Sequence, residues 1–149
     1  GIPHFAICIA LQSNKEIVSG LIFDPIKDEM FFAEKNKGSY LNNRRLRVSK
    51  KNLIDDCLFS SDHVGVRFSN FNMRYTGCAA LDLAYVAAGR FDGFFHNDIN
   101  IWDVAAGSLM VQEAGGVVND LNKFKDNAIN IRASSDGIND KMLRELENF

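Results

Sequence analysis

Cysteine is scarce and unpatterned: Cys8, Cys57 and Cys78 are odd in number, far apart and form no CxxC pair. That argues against a disulfide framework and against a zinc site, and reduced thiols in a cytoplasmic protein are expected. Histidine gives no metal pattern either, because His4, His63 and His96 show no HxH, HExxH or HxxxH spacing. Excess charge of one sign is also lacking. The formal net charge is -2, so no basic field points to nucleic acid or to an anionic membrane surface. No apolar run is long enough to span a bilayer, and the opening GIPHFAICIAL has neither the basic start nor the small-residue cleavage site of a signal peptide. GxGxxG, GxxxxGK[ST] and GxSxG are all missing, which removes the usual nucleotide and serine-hydrolase signatures.

What is present is the composition of one globular domain: 149 residues, 46% hydrophobic and 24% charged, enough to bury a real core. The chain opens on Gly1 rather than Met and is at once inside an apolar run. Missing upstream sequence would explain that opening, as would a processed terminus or a tag scar.

Strand signals dominate the first fifty residues. A β-rich run from His4 to Leu11, a turn at SNK, then EIVSGLIF, EMFFAE, SYL and, after Asn42-Asn43, RRLRVS predict an antiparallel meander. Weak strands follow at CLFSS and NMRYT. GCAALDLAYVAAGR carries Leu81, Tyr85 and Ala88 at i, i+4, i+7 and ends on Gly89 in the capping position, which predicts a helix. FDGFF predicts a strand and HNDIN an irregular polar segment. IWDVAAGSLMVQEAGG predicts a second helix ending at Gly115-Gly116, VVND and NAINIRASS two strands, and GINDKMLRELENF an amphipathic closing helix. The class is mixed α/β.

Several stretches invite a chemical reading. DPIKDE, residues 24 to 29, gathers three carboxylates as a Mg2+ site would. Asp24 and Asp28 straddle a proline-containing turn with Lys27 among them, so a turn between strands is expected. Asp103 follows a Trp and opens a helix. As an N-cap its carboxylate would accept helix N–H bonds, and its free oxygen can still bind a cation. Gly77-Cys78-Ala79 puts small residues at another helix start, suited either to an anion or sugar hydroxyl or to tight packing. Cys78 as a nucleophile, with His63 or His96 as base, is less apt than Cys78 as a small buried thiol. NNRRLRVSKK reads as a strand edge guarded by basic residues rather than a phosphate site.

Residues 101–118, IWDVAAGSLMVQEAGGVV, resemble the C-terminal signature of the inositol monophosphatase family, in which a Trp-Asp pair opens a helix ending in Glu-Ala-Gly-Gly. RYTGCAALDLAYVAAGRFDGFF resembles the family's Arg-x-x-Gly-small-Ala-Ala helix, and GLIFDPIKDEMFFAEKNKGSYLNNRRLRVS its central meander. GIPHFAICIAL looks like the segment that follows the family's first metal motif. Within that family the chain resembles the bacterial inositol-1-monophosphatase and extragenic-suppressor type. The resemblance implies an α+β layered sandwich of which this chain is the later part, with residues 1–50 completing an N-terminal α+β subdomain and 51–149 forming a C-terminal α/β subdomain.

It also implies Mg2+-dependent hydrolysis of a sugar or inositol phosphate monoester. Asp103 would then be the catalytic metal ligand and a substrate contact, and Gly77, Cys78 and Ala79 would line the substrate pocket. His96 stands where members commonly have a Glu that contacts the inositol ring, which puts inositol preference in doubt. Of the family's Mg2+ ligands, the Glu-Glu pair and the Asp-Pro-Ile/Leu-Asp-Gly-Thr motif have no match here. DPIKDE is no substitute, because Lys27 replaces the second Asp and Asp28-Glu29 replaces Gly-Thr. The chain is therefore expected to be truncated with respect to the family, and to have little or no activity alone. The stretch between RVS and RYTG is also shorter than the family's, which implies loss of a helix there. Two further roles implied by the resemblance are a homodimer and a binding partner in the transcription and ribosomal-RNA machinery. An inactive remnant is the remaining alternative.

Overall fold

The computed structural model describes residues 1–62, 71–119 and 127–147. The expected meander is a five-stranded antiparallel sheet of β1 (Ile7–Ser13), β2 (Glu16–Asp24), β3 (Glu29–Glu34), β4 (Gly38–Leu41) and β5 (Arg44–Arg45). Its hairpins are set by backbone chemistry. Asn14-Lys15 and Asn42-Asn43 take positive φ at both positions, the twist a two-residue hairpin turn requires. RRLRVS yields only the short β5, and the chain then leaves the sheet. Leu46 buries its side chain, while the Val48 N–H donates to Ala114 O at 3.2 Å.

DPIKDE is a turn, as expected. One Asp24 oxygen accepts the N–H groups of Ile26 at 2.9 Å and Lys27 at 3.1 Å, and the other accepts the Lys27 ammonium at 2.7 Å. Asp28 completes the turn at φ 52°. The three hydrogen bonds shown for Asp24 all come from its own loop, which is what a turn asks of it.

A second five-stranded sheet has the order β7-β6-β8-β10-β9, from β6 (Leu58–Ser60), β7 (Asn72–Arg74), β8 (Gly93–Asn100), β9 (Gly116–Asn119) and β10 (Ala128–Ser135). β6 runs parallel to both β7 and β8, and the other pairings are antiparallel. Between RVS and RYTG the described residues hold β6, β7 and a three-residue 3-10 turn at Ile54–Asp56.

Two helices lie between the sheets. α1 (Ala79–Ala87) ends as its sequence predicts: Gly89 has φ 68°, its N–H donates to Val86 O, and the Arg90 N–H donates to Tyr85 O. Those paired bonds satisfy carbonyls that the helix end would otherwise orphan. α2 (Ile101–Glu113) ends at Gly115 with φ 89°. α2 packs on α1, on β1 to β4 of the first sheet and on β8 to β10 of the second. The layered α+β architecture follows, with one apolar cluster running from Ile22, Phe31 and Leu41 through Leu83 and Val86 to Met110 and Ile131.

The closing helix is shorter than the sequence pattern. A 3-10 turn at Asp136–Ile138 leads into α3 (Asn139–Glu145), whose Met142 packs with Phe59 and Phe95 in a second cluster on the far side of the second sheet. Burying each such large side chain is worth roughly 1.5–3 kcal/mol.

The outer face of the first sheet is apolar and bare. Ile7 and Ile9 stand opposite Phe23 and Leu21, which stand in turn opposite Met30 and Phe32. Ile7, Ile9, Leu11, Met30 and Phe32 are all exposed. Period-two alternation puts Ile22, Phe31 and Ala33 on the other face, fully buried against the helices.

Candidate functional site

The mouth of α1 is built by Thr76, Gly77 and Cys78. Gly77 has φ 80° and open space where a Cβ would stand, so it turns the chain into the helix without strain. Its N–H donates to Asp62 Oδ1 at 2.7 Å, and the Cys78 N–H donates to the Thr76 hydroxyl oxygen at 3.3 Å. α1 has no side-chain cap, so the first N–H groups of the helix proper have no intrahelical acceptor.

Asp103 stands two residues inside α2, not at its cap. β8 runs through HNDIN to Asn100 instead of ending in an irregular segment, and the helix begins at Ile101 with no side-chain capping bond. The Ile101 N–H instead donates to Asn127 O at 2.8 Å. A backbone carbonyl therefore meets the first donor of α2, and Asp103 keeps its place in the first turn, near the positive end of the helix dipole.

These parts share one cavity of about 380 Å3, lined by Gly77, Cys78, Ala79 and Asp103 together with Asp62, Ile99 and, from the start of the chain, His4 and Cys8. His96 is not among its lining residues. It lies half-buried on β8 with its Nδ1 2.6 Å from Asn97 O, while its own carbonyl accepts from Arg132 at 3.0 Å. His63 lies outside the described residues.

The thiols beside the cavity are not activated. Burial pushes the Cys8 thiol up to about 11, with Cys78 and Asp103 adding to the shift. Burial likewise raises Cys78. Thiols held protonated are poor nucleophiles, which speaks against Cys78 as one; the expected small buried thiol is only half-buried, on the cavity wall.

Asp62 and Asp82 escaped sequence reasoning. Asp62 follows β6 without any motif around it. Asp82 sits in the apolar run AALDLAYVA, where an amphipathic helix would turn it to solvent; here every residue of α1 is buried. An Asp in a helix without a polar face was the available signal.

A Mg2+ ion is what the family resemblance implies, and the donor set is incomplete for it. Asp62 and Asp103 are the carboxylates of the cavity, and Asp62 already accepts from Gly77. Among the described residues no three His, Cys, Asp or Glu side chains gather as a metal site. Protonated thiols do not suit a hard cation that asks for oxygen ligands.

A model of the inositol monophosphatase family matches residues 1–147. An inositol-1-monophosphatase of Rhizobium meliloti is 44% identical, the match covering 78% of this chain and 49% of that protein. The Nus factor SuhB of Escherichia coli strain K12 is 40% identical, covering 80% and 51%. The crystal structure of the extragenic suppressor protein suhB from Bartonella henselae superposes with a TM-score of 0.89 at 44% identity, covering 98% of this chain and 65% of that one. The chain thus spans about half the length of the relatives it matches.

Proposed function

The chain belongs to the inositol monophosphatase family, and on that premise we propose that it carries the substrate-holding side of a Mg2+-dependent hydrolase of sugar or inositol phosphate monoesters. The meeting of Asp103, from the first turn of α2, with Gly77, Cys78 and Ala79, at the start of α1, in one cavity supports this reading. Asp103 accepts a hydrogen bond from a substrate hydroxyl and offers an oxygen to the cation. The orphan N–H groups of the first turn of α1 meet oxygens of the substrate. Small side chains at positions 77 to 79 leave room for a ring. His96 does not line this cavity.

A Mg2+ ion held in part by Asp103 would supply Lewis-acid chemistry to phosphate ester hydrolysis. Asp103 alone does not hold that ion, since Mg2+ is bound through one or two carboxylates together with substrate phosphate. The further ligands are those of the Glu-Glu and Asp-Pro-Ile/Leu-Asp-Gly-Thr motifs, which this sequence lacks. This chain alone is therefore expected to release phosphate from inositol monophosphate at close to the background rate. Inositol monophosphate added to the labelled chain should shift the amide signals of Gly77, Cys78, Ala79 and Asp103. Shifts confined to other regions would overturn the site, and turnover near that of a full-length relative would overturn the dependence on further ligands.

A second reading, a binding role toward the transcription machinery, draws on the relatives called Nus factor SuhB. A transcription partner bound equally well without Mg2+ and by the Asp103→Asn variant would support it. The net charge of -2 argues against direct contact with nucleic acid.

A further inference from the structure

Asp82 is fully buried in the middle of α1, one turn behind the cavity wall. Its Oδ1 accepts the Thr76 hydroxyl at 2.7 Å, and the Thr76 oxygen in turn accepts the Cys78 N–H at 3.3 Å. The other oxygen, Oδ2, is buried without a hydrogen-bond partner, and so is the hydroxyl of Ser60. Ser60 is nonetheless close enough to act on the Asp82 carboxyl. A carboxylate oxygen left orphan in a core is costly. A proton on the Asp82 carboxyl removes the buried charge and most of that cost.

The surroundings favour that proton. Burial pushes the Asp82 carboxyl up to about 7, opposed by the Thr76 hydrogen bond, while the charge of Asp62 raises it further and Ser60 opposes. Among the described residues, the titratable groups that face Asp82 are Asp62, from the segment after β6, and Cys78, at the mouth of α1. β6 brings only the Ser60 hydroxyl, and no cation acts on the carboxyl.

We propose that Asp82 is a positioning residue of the cavity: a proton-carrying acid that holds the Thr76 hydroxyl and, through Thr76, fixes the Cys78 amide at the cavity wall. Loss of the proton leaves a bare anion in the core. The Thr76 hydroxyl, already donated to Oδ1, then bonds an anion more strongly, and the Cys78 amide that donates to the Thr76 oxygen registers the change. The inference takes its functional meaning from the substrate reading above, yet its test uses no substrate, so the two can fail separately.

The test follows the carboxyl carbon of Asp82 and the amide of Cys78 by NMR on the whole chain between about pH 5 and pH 9, a range that brackets the raised midpoint. The Asp82 carboxyl is expected to titrate near pH 7, the value its burial gives. The Cys78 amide should follow with the same midpoint, and Asp82→Asn should abolish its titration. A residue that only fills space in the core does not move that amide with pH. A flat amide, or a titration that persists in Asp82→Asn, overturns the proposal. Should that variant not fold, Thr76→Val cuts the link instead: the carboxyl still titrates, at a higher midpoint because the opposing hydrogen bond is gone, while the amide loses its own titration. A Cys78 amide that still follows the carboxyl in Thr76→Val overturns it equally.

Discussion

Gly20 of β2 presses its backbone against Ala106 of α2, so closely that a Cβ at position 20 would stand 2.9 Å from the Ala106 Cα. The neighbour is main chain, not the end of a flexible side chain, and cannot step aside without moving the helix from the sheet. Gly20→Ala is therefore expected to destabilise the fold by about 1–3 kcal/mol, the usual cost of overpacking. A lower urea midpoint at unchanged slope checks it.

Arg90 joins the end of α1 to the first sheet. Its guanidinium grips Glu29 through two nitrogens, at 2.7 and 2.5 Å, and lies 5.0 Å from the ring centre of Tyr85. A lysine keeps the charge but loses the planar fork and the stacking. Arg90→Lys should lower stability by about 0.5–1.5 kcal/mol, with Glu29 moving back toward its ordinary carboxylate range. Thermal unfolding of the variant, with a carboxyl titration of Glu29, tests both halves.

Asp24 links the turn to acid stability. Burial raises its carboxyl, but the Lys27 ammonium and two backbone N–H groups outweigh that and hold it below its ordinary value. A depressed folded value contributes stability above the unfolded value of about 3.9, lost as pH falls through the folded one. The stability gap between wild type and Asp24→Asn should therefore be largest above about pH 4 and narrow below it. Denaturation curves at several acid pH values measure that gap.

Asp82 has the opposite sign. With its folded value raised to about 7, the folded state holds a proton that the unfolded chain has already lost, so stability falls between about pH 4 and the folded value and levels off above it. Asp82→Asn imitates the neutral acid and should flatten that fall, gaining on wild type by about 1–4 kcal/mol at alkaline pH. Stability measured at acid and at mildly alkaline pH decides it.

Trp102 is the single tryptophan, 61% exposed and adjacent in sequence to Asp103. Its fluorescence should be that of a solvated indole. Millimolar Mg2+ added to this chain, or its removal by a chelator, should leave both the emission and the thermal midpoint unchanged, because the cavity does not complete a metal site. A clear rise of the midpoint with Mg2+ would contradict this.

Much of the architecture was legible from local chemistry. EMFFAE is β3 residue for residue, and Gly89 and Gly115 end their helices because only a residue tolerant of positive φ closes that turn. The turn at DPIKDE was readable from proline, Asp and Lys together. RRLRVS was longer as a pattern than as a strand: only Arg44 and Arg45 pair with β4, and by Val48 the backbone bonds to Ala114 instead. HNDIN looked irregular, yet hydrogen bonds with β10 carry β8 through it around a bulge. Polar residues in a strand partner give no sign of that in one sequence.

The sequence by itself determined the order of strands and helices, the turns between them and the family, since these rest on residue types at short spacing. Only the tertiary structure decided that Asp103 stands inside α2 rather than capping it, that Asp62 holds Gly77, and that Asp82 is a buried acid facing Ser60. Each depends on where elements distant in sequence come to lie. The physical reason is burial: α1 sits between two sheets, so a carboxyl that local pattern would turn to water loses its solvent, and partners from other segments set its protonation.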